Sequence, residues 1–510
     1  MRRPLLVVAF CLVILTAVRL EMGRPDRVGP GSVSFYQLTE ADVLLVAGQV
    51  YQKNEDSVTL KSVVLLRSDA FGQSAGDVRQ EISCKENLIC EIECAEEIPL
   101  GSVVTLEGIF APFSRAGNPG EFDACTYYRT LKIAGKLKKA VVLEAGRSCW
   151  PLREKLYELK VYLKNRLYQI FPRKEAAVMS ALLLGEKSEL EDDLKDMYRR
   201  NGILHIFSIS SLHITILGMT AYKLLRKLGL PVCPSAAVGS ALLLLYGCMT
   251  GFGVSACRAI GMYLLKMLSE IVGRTYDMLT ALGSMAIIML ALNPYYLQNT
   301  GFLLSFASVL GIGALYPVLL PDGRKGRKRQ GIVFKAVGKA AEGVRQSFFA
   351  SLSITLATLP IQLWFYYEIP VYSVFLNLFV IPFVKPVMIS GILAMAVPGL
   401  GFLSYVGRLI LGGYELACGF FDGLPFHTWN PGHPGWLQIF GYYLLLGAAA
   451  AWLRCRKRGE PAAVRCVQRR GRAAVVSIVR GMPAVMVCVA IAVLGVRPAP
   501  VDSVTFLDVG

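Results

Sequence analysis

The sequence predicts a polytopic α-helical membrane protein of about eleven spans, with a small extracytoplasmic β-barrel near its N-terminus. Three observations predict it. Hydrophobic residues make up 54% of the 510 residues and the mean hydropathy is +0.48, too apolar for an ordinary water-soluble chain. The apolar residues gather into runs of roughly 17 to 25, the length that crosses about 30 Å of hydrocarbon. No such run falls between residues 25 and 175, where short β-branched stretches alternate with turn residues.

Residues 1–24 read as a transmembrane anchor. Arg2 and Arg3 precede an apolar run from Leu5 to Val18, a tight A-x-A cleavage site is missing, and further spans follow, so an uncleaved signal anchor is expected. The two arginines hold the N-terminus inside and send the next segment out. Residues 25–150 form the extracytoplasmic module. Its runs at 43–50, 58–66, 89–92, 103–109 and 140–143, broken by Gly, Asp, Asn and Pro, suit a small barrel of OB type, with a generic sandwich as the alternative. Cys84, Cys90, Cys94, Cys125 and Cys149 lie in this module, on the oxidising side, where a disulfide among them is expected without a readable pairing.

Residues 151–175 follow as a basic amphipathic helix. Leu156, Leu159, Leu163, Leu167 and Ile170 form one stripe, and Arg153, Lys155, Lys160, Lys164 and Arg166 occupy the rest. Such a helix lies on a membrane surface or guides an anionic polymer. The transmembrane block occupies 176–453, and a basic cytoplasmic loop with a last span occupies 454–497. Spans are expected near 203–225, 236–253, 257–273, 278–297, 301–320, 348–367, 371–396, 402–421, 436–453 and 475–496. The run at 371–396 holds Pro382, Lys385 and Pro386, which admits a broken or re-entrant helix as well as a plain crossing. Starting inside, this set puts the basic residues of 223–227, Arg274, 324–345 and 454–472 on the cytoplasmic side, as the positive-inside rule requires. The formal net charge of +17 is therefore read first as a topology signal.

Polar groups in hydrocarbon are costly unless paired or wet, so each is a functional candidate. The densest set runs from Asn201 through His205, Ser208, Ser210 and Ser211 to His213. On one continuous helix His205 and His213 lie close to the same face. Such a set can line a wet path, bind an ion, or join helices by hydrogen bonds. No H-E-x-x-H pattern occurs and no carboxylate neighbours either His, so a metal is not expected. Lys266 and Glu270, four apart, can pair on one helical face. Arg258 either snorkels or faces a groove that accepts phosphate. Ser305, Asn377, Asn299, Gln362 and Lys385 add polar points, and their number in one bundle points to translocation of something polar. No cofactor is implied. No P-loop is present, so the driving force comes from a partner or a gradient.

These residues also carry a family resemblance. The segment from Leu204 and His205 through Ile209, Ser210, Ser211 and Leu212 to His213 resembles the H-L-L-A-I-S-G-L-H signature of the ComEC-type competence proteins. Just upstream, the run from Ala181 through Gly185 and Glu186 to Lys187 resembles that family's A-L-L-L-G-E/D-R lead-in. Arg258, Ala259 and Met262 resemble its R-A-x-x-M segment. Leu292-Asn293-Pro294, the 301–306 segment, Leu359-Pro360-Ile361, Asn377-Leu378 and Ile381-Pro382 match in order and spacing. In the soluble module, the stretch from Gly117 and Asn118 through Pro119, Gly120 and Phe122 to Asp123 is similar to the N-P-G-x-F-D element of the family's OB-like domain. Residues 498–510, ending Asp508-Val509-Gly510, resemble the first strand of its metallo-β-lactamase-like domain. Two departures stand out. Ser211 replaces the usual Gly, and the H-x-H-x-D-H metal ligands of the C-terminal domain are missing. The stop at Gly510 is therefore read as a truncation, and no catalysis is expected of this chain.

The resemblance implies a channel that takes up single-stranded DNA across the bacterial cytoplasmic membrane during natural transformation. The expected partners are single-stranded DNA, the lipid bilayer, a DNA receptor outside and a DNA translocase inside. The channel residues would include His205, Ser208, Ser210, Ser211, His213, Arg258, Lys266, Ser305 and Asn377. In the OB-like module Arg115, Asn118, Phe122, Tyr127, Tyr128 and Arg129 would hold the strand by stacking and charge, although the same rings serve equally well as barrel core. The rival reading is a secondary transporter of a small or lipid-linked polar solute.

Overall fold

Alternation of buried and open residues lays down the N-terminal strands. In β1 (Val43–Lys53) Leu44, Val46 and Val50 point inward and are fully buried, the period of two expected of a half-buried strand. The computed structural model describes residues 4–21, 43–68, 82–84, 86–93, 95–118, 120–209, 211–321, 332–397, 401–458 and 473–496. β1 pairs antiparallel with β2 (Ser57–Ser68) and with β5 (Val103–Pro112). β2 pairs with β4 (Asn87–Glu91), β4 runs parallel to β6 (Ile133–Ala145), and β6 returns antiparallel to β5. The cycle β1-β2-β4-β6-β5-β1 closes a five-stranded barrel, and the short β3 (Ile82–Ser83) adds to β2. Phe110 fills its middle, and Gly135 makes room: a Cβ there would stand 2.6 Å from the Phe110 ring.

Two expectations for this region change. Cys84 and Cys90 are buried apart in the barrel core, Cys90 opposite Val58 and Cys84 bonded to Val63. No disulfide joins Cys84, Cys90, Cys125 or Cys149, and Cys94 lies outside the described residues. The basic helix α3 (Pro151–Ile170) turns Lys160 and Lys164 inward, while Lys155 stays exposed. Lys164 is buried while Leu159 of the expected apolar stripe is exposed. The reason is acidic company. Lys164 bonds Glu55 at the β1–β2 turn and lies 3.3 Å from Glu189, Lys160 is 2.6 Å from Glu186, and Lys53 is 2.6 Å from Glu154. Thus α3 straps the barrel to the remainder of the chain.

Beyond α3 the chain forms a helical bundle. The helix α4 (Arg173–Leu184) is buried without interruption from Ala176 to Leu184 and sits at the centre of the largest core. Then follow α5 (Asp192–Arg200), α6 (Ser211–Lys227), α7 (Val232–Thr250), α8 (Val254–Val272) and α9 (Met278–Leu292). Next come α10 (Thr300–Leu310), continuing through a π turn into α11 (Tyr316–Leu319), and α12 (Ile332–Tyr366). The series ends with α13 (Ser373–Ala396), α14 (Ser404–Asp422), α15 (Trp436–Arg458) and α16 (Ala473–Gly495). The N-terminal α1 (Pro4–Glu21) packs on α9, where Gly283 lets the backbone of Leu5 and Leu6 come close.

Among the described residues, five helices are long and apolar enough to cross a membrane: Val232–Thr250, Thr300–Leu319, Ala341–Tyr366, Ser373–Ala396 and Trp436–Lys457. Leu416, Phe420, Leu437 and Phe440 are largely exposed on the bundle surface, as expected where lipid is the solvent. The chain is a membrane protein. α13 is one continuous helix with Pro382 and Pro386 inside it, not a broken one. The expected span at 203–225 is instead split: a short turn, Leu204–Phe207, precedes α6.

The bundle has two distinct ends. At one end the barrel touches the loops: Gln52 lies against Gly251, Thr130 meets Asn293 and Asn299, and Gly120 faces Tyr367. At the other, Lys457 bonds the carbonyls of Pro317 and Leu320, and Arg345 donates to Pro321 O at 2.9 Å. The flanks of both basic loops therefore gather at the end opposite the barrel.

Candidate functional site

The barrel reaches the bundle through the long β5–β6 loop. Asp123 caps the short helix α2 (Ala124–Thr130), its carboxylate accepting from Thr126 N at 2.9 Å and from Thr126 Oγ1 at 2.6 Å. Glu121 accepts from the backbone N–H groups of Gly117 and Asn118, each at 3.0 Å. The 117–123 element is thus a folding device that presents α2. At its end Thr130 is fully buried. Its carbonyl accepts from Asn293 Nδ2 at 2.8 Å, and its hydroxyl accepts from Asn299 Nδ2 at 2.8 Å while donating to Tyr127 O at 2.7 Å. The sequence gives no signal for Thr130, and Asn293 enters it only within the Leu292-Asn293-Pro294 segment that resembles the family.

The predicted barrel residues divide. Arg115 is exposed, as are Phe122 and Tyr127. Tyr128 stacks on Phe113 with centroids 3.9 Å apart, and Arg129 lies 5.1 Å over the Tyr295 ring of the bundle. Tyr128 is therefore engaged within the loop, and Arg129 within the junction.

Below that contact, Asn299 caps α10, its side-chain oxygen accepting from Phe302 N at 3.0 Å. Gly301 lets α8 approach, with Ser255 Oγ donating to Gly301 O at 3.3 Å. This neighbourhood brings two predicted residues together: Arg258 Nε donates to Ser305 Oγ at 2.7 Å. Ser305 lies six residues past Asn299, about 9 Å along the helix axis from the barrel contact. Arg258 is only 2% exposed. Met262 Sδ at 3.5 Å, the Phe306 ring at 5.8 Å and Tyr276 also act on it, and no carboxylate pairs with it among the described residues. Burying a cation in protein costs several kcal/mol, which one hydroxyl offsets only in part.

The histidines fare differently. Gly202, at φ +72°, packs under Pro370 and turns the chain out of α5. His205 sits exposed in the 204–207 turn, its Nδ1 3.2 Å from Gly202 O, and Ser208 Oγ donates to His205 O at 2.8 Å. Ser210 lies outside the described residues. Ser211 opens α6, and His213, two residues later, is buried. The two histidines share no helix face, because the helix breaks between them, yet they stay within electrostatic reach of each other. Lys266 and Glu270 do not pair, and Glu270 points outward. Asn377 Oδ1 is buried on α13 with no hydrogen-bond partner among the described residues, and no described contact ties it to Arg258 or the histidines.

Comparison with known proteins bears on this geometry. ComE operon protein 3 of Bacillus subtilis (strain 168) is 24% identical over 356 residues, covering 69% of this chain and 41% of its own. Competence protein ComA of Neisseria gonorrhoeae is 31% identical over 143 residues, covering 26% of this chain and 20% of its own. The chain thus spans less than half the length of either relative. No solved structure matches it. The competence protein family model matches residues 182–456, a stretch that holds His205, His213, Arg258, Ser305 and Asn377. Because that match covers more than half of its 510 residues, the chain belongs to the competence protein family.

Proposed function

We propose that the chain is a multi-pass channel of the bacterial cytoplasmic membrane that takes up single-stranded DNA in natural transformation. One observation carries this reading. The barrel is seated by Thr130 on the cap of α10, and about 9 Å further along that helix Arg258 is held without a carboxylate. A strand passed from barrel to bundle would meet that cation early, and a polyphosphate backbone needs such cations along its path. The strand cycle, with its one parallel junction, supports an OB-type barrel, a fold that holds single strands against basic and aromatic surfaces.

The separation of ends supports the orientation. The barrel sits opposite the flanks of the basic loops, which fits a barrel outside, basic loops inside and about eleven crossings. In this reading His205 and His213 shape the path near Arg258, a receptor delivers DNA outside, and a translocase draws it in. The chain itself binds DNA without cutting it. A strain lacking the gene, complemented with Arg258→Leu, tests the reading. Transformation should be lost while protein abundance stays normal. Abundance falling in step with transformation would make Arg258 a packing residue and sink the lining claim. Alkaline phosphatase fused after residue 150 should be active and after Lys328 silent; the reverse would overturn the direction of uptake.

A further inference from the structure

Aromatic rings do not stop at the barrel loop. Phe122 and Tyr127 lie 5.3 Å apart on it, and Phe122 is 64% exposed. Tyr127 is close enough to Tyr366, at the outer end of α12, for the two to interact electrostatically, and Arg199 acts on Tyr366 as well. Next to it, a Cβ on Gly120 would stand 3.4 Å from the Tyr367 ring, so loop and helix end are in van der Waals contact. From Tyr367 the rings run on. His433 is 5.4 Å from Tyr367 and 4.0 Å from Trp364, and Trp364 is 4.4 Å from Trp436, the first residue of α15. Trp436 is 64% exposed.

We propose that these rings form one composite platform, Phe122 and Tyr127 from the barrel and Tyr367, His433, Trp364 and Trp436 from the bundle, on which the bases of a single strand stack as it crosses the junction. The inference rests on the DNA-channel reading and adds a binding surface contributed by α12 and α15. Base–aromatic stacking tolerates any sequence, as an uptake surface requires. Arginines lie on the same loop as Phe122 and Tyr127 and beside the same helix end as Tyr367, where they could meet phosphates. Arg115 is exposed, Arg129 covers Tyr295, and Arg199 is 3.8 Å from Glu368 with about half its side chain open.

Interfacial tryptophans and tyrosines also anchor helices to lipid headgroups. Anchoring rings face lipid one by one, whereas Tyr367, His433, Trp364 and Trp436 face one another, and the loop that carries Phe122 and Tyr127 approaches them at Gly120. The backbone supports the distinction. Tyr367 has φ +61° and Phe426 has φ +56°, left-handed values that non-glycine residues rarely adopt. Both flank a two-stranded ribbon, β7 (Ile369–Pro370) with β8 (Thr428–Trp429), which ties the α12–α13 connection to the α14–α15 connection. Strain kept in place by a ribbon is a feature of sites that hold their side chains ready for a ligand.

The test uses the 510-residue chain in lipid nanodiscs and an oligothymidylate of about 15 nucleotides, within the site sizes of single-strand binders. The oligonucleotide should bind in a salt-sensitive way and quench tryptophan emission. Trp436→Ala and His433→Ala should each weaken binding about tenfold, and Trp436→Phe should restore most of it. Wild-type binding that neither variant alters, with emission unquenched, would overturn the platform and leave the channel reading standing. A Trp436→Ala protein that is less stable in the disc yet binds with unchanged affinity would make the ring a lipid anchor, which also overturns it. A wild-type chain that binds no single strand would remove the channel reading itself and the platform with it.

Discussion

Polar groups are handled in opposite ways by the barrel junction and by the bundle core. At the junction Thr130 and Lys164 find polar partners. Thr130 uses both its carbonyl and its hydroxyl, and Lys164 is shared between two glutamates. In the bundle Arg258 has one hydroxyl and a thioether for its guanidinium, and Asn377 Oδ1 has no partner among the described residues. Satisfied groups fix a structure. An incompletely satisfied cation, held where hydration is lost, is kept at a cost in stability and so points to function.

The largest expected effect tests the satisfied side. Phe110→Ala removes the ring around which the barrel closes and should cost about 3 to 5 kcal/mol. Hydrogen exchange in β1 and β5 would report it, and protection unchanged from wild type would show that Phe110 is not the barrel's centre.

The opposite sign is expected in the bundle. Arg258→Met replaces an uncompensated buried charge by an apolar side chain and should stabilise the protein by about 1 to 4 kcal/mol. Transformation should fall about 10- to 100-fold, the worth of a charge-assisted contact with phosphate. A variant that is both less stable and less active would erase the contrast between the two regions.

The junction itself should respond more modestly. Thr130→Val keeps the shape but leaves Asn299 Nδ2 without its acceptor, a loss of about 1 to 3 kcal/mol. The barrel should then loosen from the bundle, read as faster proteolysis near 113–132 with the barrel strands still protected. Unchanged cleavage would mean that other contacts, such as Gln52 with Gly251, hold the barrel in place.

The sequence carried the barrel through its short β-branched runs broken by turn residues, and in β1 Leu44, Val46 and Val50 mark the buried face without tertiary help. It failed where periodicity runs on through a break. The polar spacing from His205 to His213 looks helical, but the chain there is a short turn, Leu204–Phe207, that ends at Ser208, and α6 starts only at Ser211. The helix α4 was invisible as an element because twelve residues are too few for a span. The lysines of α3 were read as outward because their glutamates, 55, 186 and 189, are brought up only by the fold. Arg258 and Ser305 could each be picked out from sequence, whereas their bond could not.

The smallest effect is absent at neutral pH and grows only in alkali, where it separates the barrel's own chemistry from its strap. Burial, and then the charge of Glu86, raises the Cys84 thiol to about 11 from an ordinary value of 9.0, and burial raises Cys90 as well. A raised folded value means that the folded barrel holds these protons more tightly than the unfolded chain does. Their contribution is complete below pH 9 and is lost as pH climbs through the folded values, at about 1.4 kcal/mol per pH unit per thiol. For Lys164 burial pulls the ammonium's pKa down, but the hydrogen bonds and charges of Glu55 and Glu189 more than offset this and hold it above 10.5. Its contribution too is full below 10.5 and disappears above. Barrel unfolding followed by circular dichroism should therefore weaken from about pH 9 upward. Cys84→Ala should flatten the early part of that decline, and Lys164→Gln only the part above 10.5. An identical alkaline decline in the Cys84→Ala protein would mean that the thiol is not sealed in the core, and the picture of Cys84 as a buried core residue would fail.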